Sequence, residues 1–420
     1  MGRLHSLCLA VLIASCGSSD APRRDDQPAG ASTQNVTHWS LVEEWRVGGE
    51  VSGPHSLANV QAIRVLPDGR LVIFEAIESQ IHILSPQGAP IKTIGRSGRG
   101  PGEFSSASEL VLAPDGRIIV YDSNTERLTF LSPNGDLLKT QPHEYGGRVA
   151  WVRPDGRLEE LGTQFADGPT GQRASVESRR IWSADYTKAD TVAGALCPLL
   201  KRIPAAFSHW TSPHPSGGRI FHSYPFLPQA RLDIPDGSWI SPFPDFRELH
   251  RVAVGTCASA ATITLQGAPV PVPAHILREL EGSLRAHKRA GDTLSPDPSR
   301  VRSTLPLFEA LFTDAQDRLW VERLVDTTIQ FSQGTVFGMA SVHAKGSARF
   351  EVYSPQGALV ALVSAPSSLG TPRSPKRFAI TAERVYTIVF DDDGVPYLCS
   401  FRIVAPAPDG ALLTNHGRFR

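Results

Sequence analysis

The stretch Ala62-Ile63-Arg64-Val65-Leu66-Pro67-Asp68-Gly69-Arg70-Leu71-Val72-Ile73-Phe74 decides the fold, because it spells a strand, a tight turn and a return strand. Proline presets φ, the aspartate side chain bonds the backbone just ahead of it, and glycine accepts a positive φ, so Pro-Asp-Gly reverses the chain. The run Leu71–Phe74 is apolar without alternation, as expected of a strand buried on both faces. Downstream, Gln80–Leu84 predicts a third strand, Ser85-Pro86-Gln87-Gly88 a second turn, and Ala89–Ile94 a fourth strand. The unit is a four-stranded antiparallel meander.

The unit recurs. Pro67-Asp68-Gly69-Arg70 returns as Pro114-Asp115-Gly116-Arg117 and Pro154-Asp155-Gly156-Arg157, with a related Pro235-Asp236-Gly237. Degenerate forms are Ala315-Gln316-Asp317-Arg318 and Thr381-Ala382-Glu383-Arg384. The second turn returns as Ser132-Pro133-Asn134-Gly135 and Ser354-Pro355-Gln356-Gly357. The first two copies are 47 residues apart, a period that suits propeller blades. Six units follow, roughly 54–95, 100–140, 145–194, 215–255, 305–365 and 370–405. The predicted fold is all-β: a six-bladed β-propeller of four-stranded antiparallel blades over 38–410. The strand Ser40–Val47 is expected to complete the last blade and remove a sheet edge. Within 271–300, Ile276, Leu277, Leu280 and Leu284 stand at helical spacing, which predicts an amphipathic helical insert between blades four and five.

The segment Ile94-Gly95-Arg96-Ser97-Gly98-Arg99-Gly100-Pro101-Gly102-Glu103-Phe104, followed by Leu110–Asp122 and then Asn124, Arg127 and Leu128, resembles the NHL-repeat pattern. In that pattern a Gly-Pro-Gly-Glu-Phe loop leads into a strand, an Asp-Gly turn and a strand ending in Asp. The chain is similar to bacterial six-bladed propeller lipoproteins of that superfamily, which also holds binding scaffolds, lactonases and lyases. The resemblance thus implies the fold and leaves the function open.

The N-terminus carries a processing signal. Arg3 and His5 precede the apolar run Leu7–Ala14, far short of the roughly 20 residues that span a bilayer as a helix but fitting the apolar core of a secretory signal. The run ends Ile13-Ala14-Ser15-Cys16, which resembles the bacterial lipobox. That resemblance implies a signal peptide over 1–15, cleavage between Ser15 and Cys16, and a diacylglyceryl thioether on Cys16. Gly17 after the cysteine leans toward the outer membrane, with the propeller in the periplasm or at the cell surface. Residues 16–37 are rich in Gly, Ser, Pro, Asp and Gln and are expected to form a flexible tether.

Charge excludes one class of partner. The 42 basic and 42 acidic residues balance, so no basic field collects nucleic acid. Contact with the membrane is expected through the N-terminal lipid alone. Beyond the signal, Cys197, Cys257 and Cys399 allow at most one internal bridge; a Cys197–Cys257 pair and buried free thiols are both open.

The candidate sites are few. Gly95–Phe104, with Arg96, Arg99 and Glu103, is a candidate anion cradle or a structural crossover between blades. His209, His214 and His222 match no zinc spacing, and Asp391-Asp392-Asp393-Gly394 lacks the alternating ligands of a calcium loop and is expected to be an acidic hairpin turn. No metal site and no cofactor is identified, nor a nucleophile, base and orienter set. The expected function is a tethered, non-catalytic binding or scaffold propeller for an unknown protein or small-ligand partner. The alternative, from the superfamily alone, is a metal-dependent hydrolase or lyase, lactonase-like, with its site at the central channel.

Overall fold

The computed structural model describes residues 36–49, 57–143, 148–167, 173–193, 209–213, 219–223, 230–242, 246–253, 258–286, 301–333, 340–366, 369, 375–391 and 393–405. After β1 (Thr37–Gly48), the chain lays down four-stranded antiparallel sheets in succession. The first holds β2 (Val60–Val65), β3 (Leu71–Glu75), β4 (Gln80–Leu84) and β5 (Pro90–Ile94); the second holds β6 (Ala107–Leu112), β7 (Ile118–Asp122), β8 (Arg127–Leu131) and β9 (Leu137–Pro142). The third holds β10 (Arg148–Val152), β11 (Leu158–Asp167), β12 (Arg173–Trp182) and β13 (Ala189–Ala193). A two-stranded hairpin, β14 (His209–Pro213) with β15 (Arg219–Ser223), precedes β16 (Arg231–Ile234), β17 (Gly237–Ile240), β18 (Glu248–Ala253) and β19 (Ser259–Thr264). Beyond a helix come β20 (Leu311–Thr313), β21 (Leu319–Gln333), β22 (Ala340–Tyr353) and β23 (Leu359–Ser364), then β24 (Phe378–Ile380), β25 (Arg384–Phe390) and β26 (Pro396–Val404).

β1 seals the stack. It pairs antiparallel with β26 from Ser40↔Val404 to Gly48↔Tyr397, and its first residues pair in parallel with β23, Thr37↔Ala361 to Ser40↔Ser364. The strand expected to complete the last unit therefore does so, and it bridges to the preceding one as well.

The turns explain why the motif recurs. In the first unit Leu66 N–H donates to Arg70 O at 2.8 Å, Gly69 N–H donates to Leu66 O at 2.9 Å, and Gly69 has φ +88°. Asp68 accepts from Arg70 N–H at 3.1 Å and from its Nε at 2.8 Å. Asp115 and Asp155 bind Arg117 and Arg157 the same way. In β20–β21 the aspartate has moved: Asp314 accepts from Arg318 N–H and Nε, and Asp317 takes glycine's place at φ +59°.

Each unbroken apolar run feeds two interfaces. Ala62, Val72 and Phe74 pack against Phe104 of the following crossover and Leu110 and Val120 of the second sheet, while Ile63, Leu71 and Ile73 pack against Tyr386, Ile388 and Leu398 of the last. The stack thus closes on itself, as in a β-propeller.

Two expectations need correction. The sequence places the fourth unit at 215–255. Its sheet instead runs from Arg231 to Thr264, and the hairpin 209–223 stands apart from it. No Ser-Pro-x-Gly turn marks that unit's last strand, so Ser259–Thr264 had no signal. Pro235-Asp236-Gly237 is also a different turn: Ile234 pairs with Gly237 across a two-residue loop, and Asp236 binds Arg251 instead of its own backbone. The helical expectation holds over α1 (Ala274–Ala286), where Ile276 and Leu280 are buried with Val272 and Leu305; residues 287–300 lie outside the described ones. Among the described residues no helix is long and apolar enough to cross a membrane.

Candidate ligand-binding site

Strands β2, β10, β16, β20 and β24, each the first of its run, surround a common space. There a cavity of about 740 Å³ is lined by residues from β2, β10, β16, β20 and β24. Its charged lining is Arg64, Arg148, Arg231, Asp233 and Lys376. Asp233 gathers two of the cations: Arg231 Nε donates to its Oδ1 at 2.7 Å, Ser238 Oγ donates to the same oxygen at 2.9 Å, and Arg148 Nη2 reaches Oδ2 at 3.4 Å. Lys376 Nζ donates to Glu109 Oε1 at 2.7 Å and to Ser108 O at 3.1 Å. Arg64 has no carboxylate partner among the described residues; its Nη1 donates to Ile63 O at 2.8 Å and Lys376 O at 3.2 Å. Burial holds the Arg64 pKa below its ordinary value, with Glu109 opposing that shift and Arg148 adding to it. Four cations thus face two carboxylates. Trp151, Phe312, Phe378 and Leu232 supply apolar wall between them. Polar groups set in an apolar concavity are the usual make-up of a small-molecule site.

The loop proposed from the sequence is elsewhere and is occupied with itself. Arg96 Nε donates to Glu103 Oε1 at 2.8 Å, and Gly100 N–H donates to Glu103 Oε2 at 2.8 Å. Those two partners, Gly100 foremost, hold the Glu103 pKa below the usual carboxylate range. Arg99 donates to Asn124 O, Arg127 caps the carbonyls of Arg99, Gly100 and Glu103, and Phe104 is fully buried against Phe74. The loop is a pinned crossover from β5 to β6, and none of Arg96, Arg99 and Glu103 lines the axial cavity.

The remaining sequence candidates divide. Asp391 accepts from Asp393 N–H and Val395 N–H, so the acidic run is a hairpin turn, with Asp392 outside the described residues. His209 and His222 stand on β14 and β15, one register step from each other; His214, Cys197 and Cys257 lie outside the described residues. Cys399 is a buried free thiol whose pKa burial pushes up to about 12. Among the described residues no group of three or more His, Cys, Asp or Glu side chains is placed to hold a metal ion. A buried His143–Glu160 pair, packed on Trp182, is sealed from solvent and offers no access to a ligand.

Sequence reasoning missed Arg64, Arg148, Arg231 and Lys376. One signal was available: Arg64, Arg148 and Arg231 each sit on the strand that enters a Pro-Asp-Gly turn. Lys376, on a 3-10 turn before β24, had none.

A family described as a 6-bladed beta-propeller matches residues 55–144, the first two sheets. No curated protein matches the chain. Among solved structures, it is similar to an exported protein of Bacteroides fragilis (TM-score 0.44, 12% identity, covering 90% of this chain and 98% of that one). It is also similar to the virginiamycin B lyase of Staphylococcus aureus (TM-score 0.38, 11% identity, 87% and 100%). A third likeness is to regucalcin, a calcium-binding protein of Agrobacterium tumefaciens (TM-score 0.34, 12% identity, 87% and 96%). At such scores and identities these likenesses carry nothing about ligand or activity.

Proposed function

We propose that the chain is a lipoprotein held in the cell envelope through Cys16, with a tether over 16–37, whose six-bladed propeller binds a small ligand at its axis without turning it over. The count of six takes the strands β20–β23 and β24–β26 with β1 as separate blades and adds the four preceding four-stranded sheets. The anchor rests on Ser15-Cys16 behind the apolar run Leu7–Ala14. The observation that carries the binding reading is the axial cavity, whose polar groups come from separate sheets and are held by mutual ion pairs, with aromatic wall between them.

Two measurements test it. Metabolic labelling with an alkynyl fatty acid is expected to mark the wild-type chain and not Cys16→Ser. A label retained on the variant removes the anchor. For the binding reading, the detergent-solubilised full-length chain is screened by thermal shift against a small-molecule library, and each hit is quantified after prolonged incubation. Hits recovered intact are expected. Stoichiometric excess of product over protein overturns the non-catalytic reading.

A further inference from the structure

Resting on that reading of the axial cavity, we propose that its ligand is an organic dianion of the phosphomonoester class, whose oxyanion head is held between Arg64 and Arg148. The charge pattern picks the pair. Lys376 is engaged by Glu109, and Arg231 by Asp233 and Ser238. Arg148 has one long contact, 3.4 Å to Asp233. Arg64 uses only Nη1, on two carbonyls. The Nε–Nη2 edge of Arg64 therefore donates to no described residue, and that edge is the planar fork that matches an oxyanion through two parallel hydrogen bonds.

Two guanidinium groups facing one half-enclosed cavity repel each other, and a surplus of two positive charges there is stabilised by an ion that supplies two negative ones. A phosphomonoester offers both in one head, with three oxygens for the two forks. The volume sets the rest of the ligand. About 740 Å³ is far more than a bare phosphate fills, and Trp151, Phe312 and Phe378 face the same space, so the ester's organic part is apolar or aromatic. Arg96, which carries its own carboxylate on the exposed crossover, is outside this site.

The test uses the full-length chain in neutral detergent, with phenyl phosphate, inorganic phosphate, succinate and phenol as probes, followed by calorimetry at low and physiological salt. Phenyl phosphate is expected to bind tightest, inorganic phosphate more weakly, and phenol not at all, with affinity falling as salt rises. Arg64→Gln and Arg148→Gln each remove a charge-assisted hydrogen-bonding group and are expected to weaken phenyl phosphate about ten- to a hundred-fold, while Arg96→Gln leaves it unchanged. Arg148→Gln, whose native contacts are few, keeps the test valid if Arg64→Gln fails to fold. Equal binding by wild type and Arg148→Gln, or an equal loss in Arg96→Gln, overturns the site. Tighter binding of succinate than of phenyl phosphate overturns the phosphomonoester class, and no binding of any anion at millimolar concentration overturns the anion reading. Release of phenol from phenyl phosphate would instead sink the non-catalytic function while leaving the site in place.

Discussion

Two interfaces between neighbouring sheets, each led by a sheet that opens on a Pro-Asp-Gly-Arg turn, Pro67–Arg70 in one and Pro154–Arg157 in the other, are filled in opposite ways. Between β2–β5 and β6–β9 the contact is dry: Val72, Phe74, Ile81 and Ile83 meet Phe104, Leu110, Ile118 and Val120. Between β10–β13 and β16–β19 no apolar cluster among the described residues spans the gap. Arg179 crosses it instead, only 7% exposed, donating to Glu159 Oε1 at 2.7 Å and to the carbonyls of Ile234, Pro235 and Gly237. Glu159 also accepts from Trp151 Nε1 at 3.1 Å and from Arg153 at 3.0 Å. The turn motif specifies where strands reverse. What fills the faces between sheets is chosen separately, residue by residue.

The largest effect is expected at the ionic interface. Removing one partner of a buried ion pair strands the other, a loss of about 3–5 kcal/mol. Arg179→Met is expected to lower the urea midpoint accordingly, and Arg179→Met with Glu159→Met to recover much of it, because two apolar side chains need no counterion. On the dry side, Ile118→Ala is expected to lose about 2–5 kcal/mol through the cavity it leaves, and no second truncation should rescue it. If the double variant is no better than Arg179→Met alone, the ion pair does more than fill a gap, and the contrast between the interfaces fails.

The contrast also shows what the sequence made legible. Asp68, Asp115 and Asp155 were readable because each turn satisfies itself within five residues, and β1 was readable because a strand ahead of the first turn has only a sheet edge to fill. Asp314 and Tyr186 were not. Asp314 serves its turn from two places further back, and Tyr186, at φ +62°, takes the left-handed position that glycine holds in the related Ser-Pro-x-Gly turns. Arg64 and Arg179 were hidden for another reason. Each lies in a strand whose alternation predicts a face, and whether that face meets another sheet or the axis is set by partners distant in sequence.

A smaller effect sharpens the comparison at the second turn. Gly135 and Gly357 occupy the same place in Ser-Pro-x-Gly, with φ of +78° and +89°. An added Cβ at Gly135 would lie 2.2 Å from Ile94 Cδ1, in the dry interface, whereas at Gly357 the nearest atom is Ile263 Cγ1 at 3.4 Å. Gly357→Ala is therefore expected to lose only the left-handed strain, about 1–2 kcal/mol. Gly135→Ala should lose a further overpacking cost of about 1–3 kcal/mol. Equal midpoints for the two variants would mean that the dry interface yields as easily as the looser one.

An effect of opposite sign lies in how the sheets treat a buried carboxylate on a second strand. Asp122 accepts from the N–H groups of Ser105, Ser106, Asn124 and Thr125, and Glu75 from those of Asn59 and Glu78. Glu322 of β21 is as fully buried, but neither of its oxygens has a hydrogen-bond partner among the described residues; burial first, then the charge of Glu309, holds its pKa well above the usual carboxylate range. Asp122→Asn should lose stability, about 1–3 kcal/mol for hydrogen bonds to a charged acceptor. For Glu322 the sign reverses. Below the unfolded glutamate pKa both states hold the proton and the native state has its full stability. As pH rises past that value the unfolded chain ionises first, so stability declines until the raised native pKa is reached. Glu322→Gln removes that decline and is expected to raise the urea midpoint at neutral pH while leaving it little changed at pH 4. A midpoint lowered by Glu322→Gln at neutral pH would show that the carboxylate is ionised and held by a counter-charge, and the difference between the two kinds of buried carboxylate would disappear.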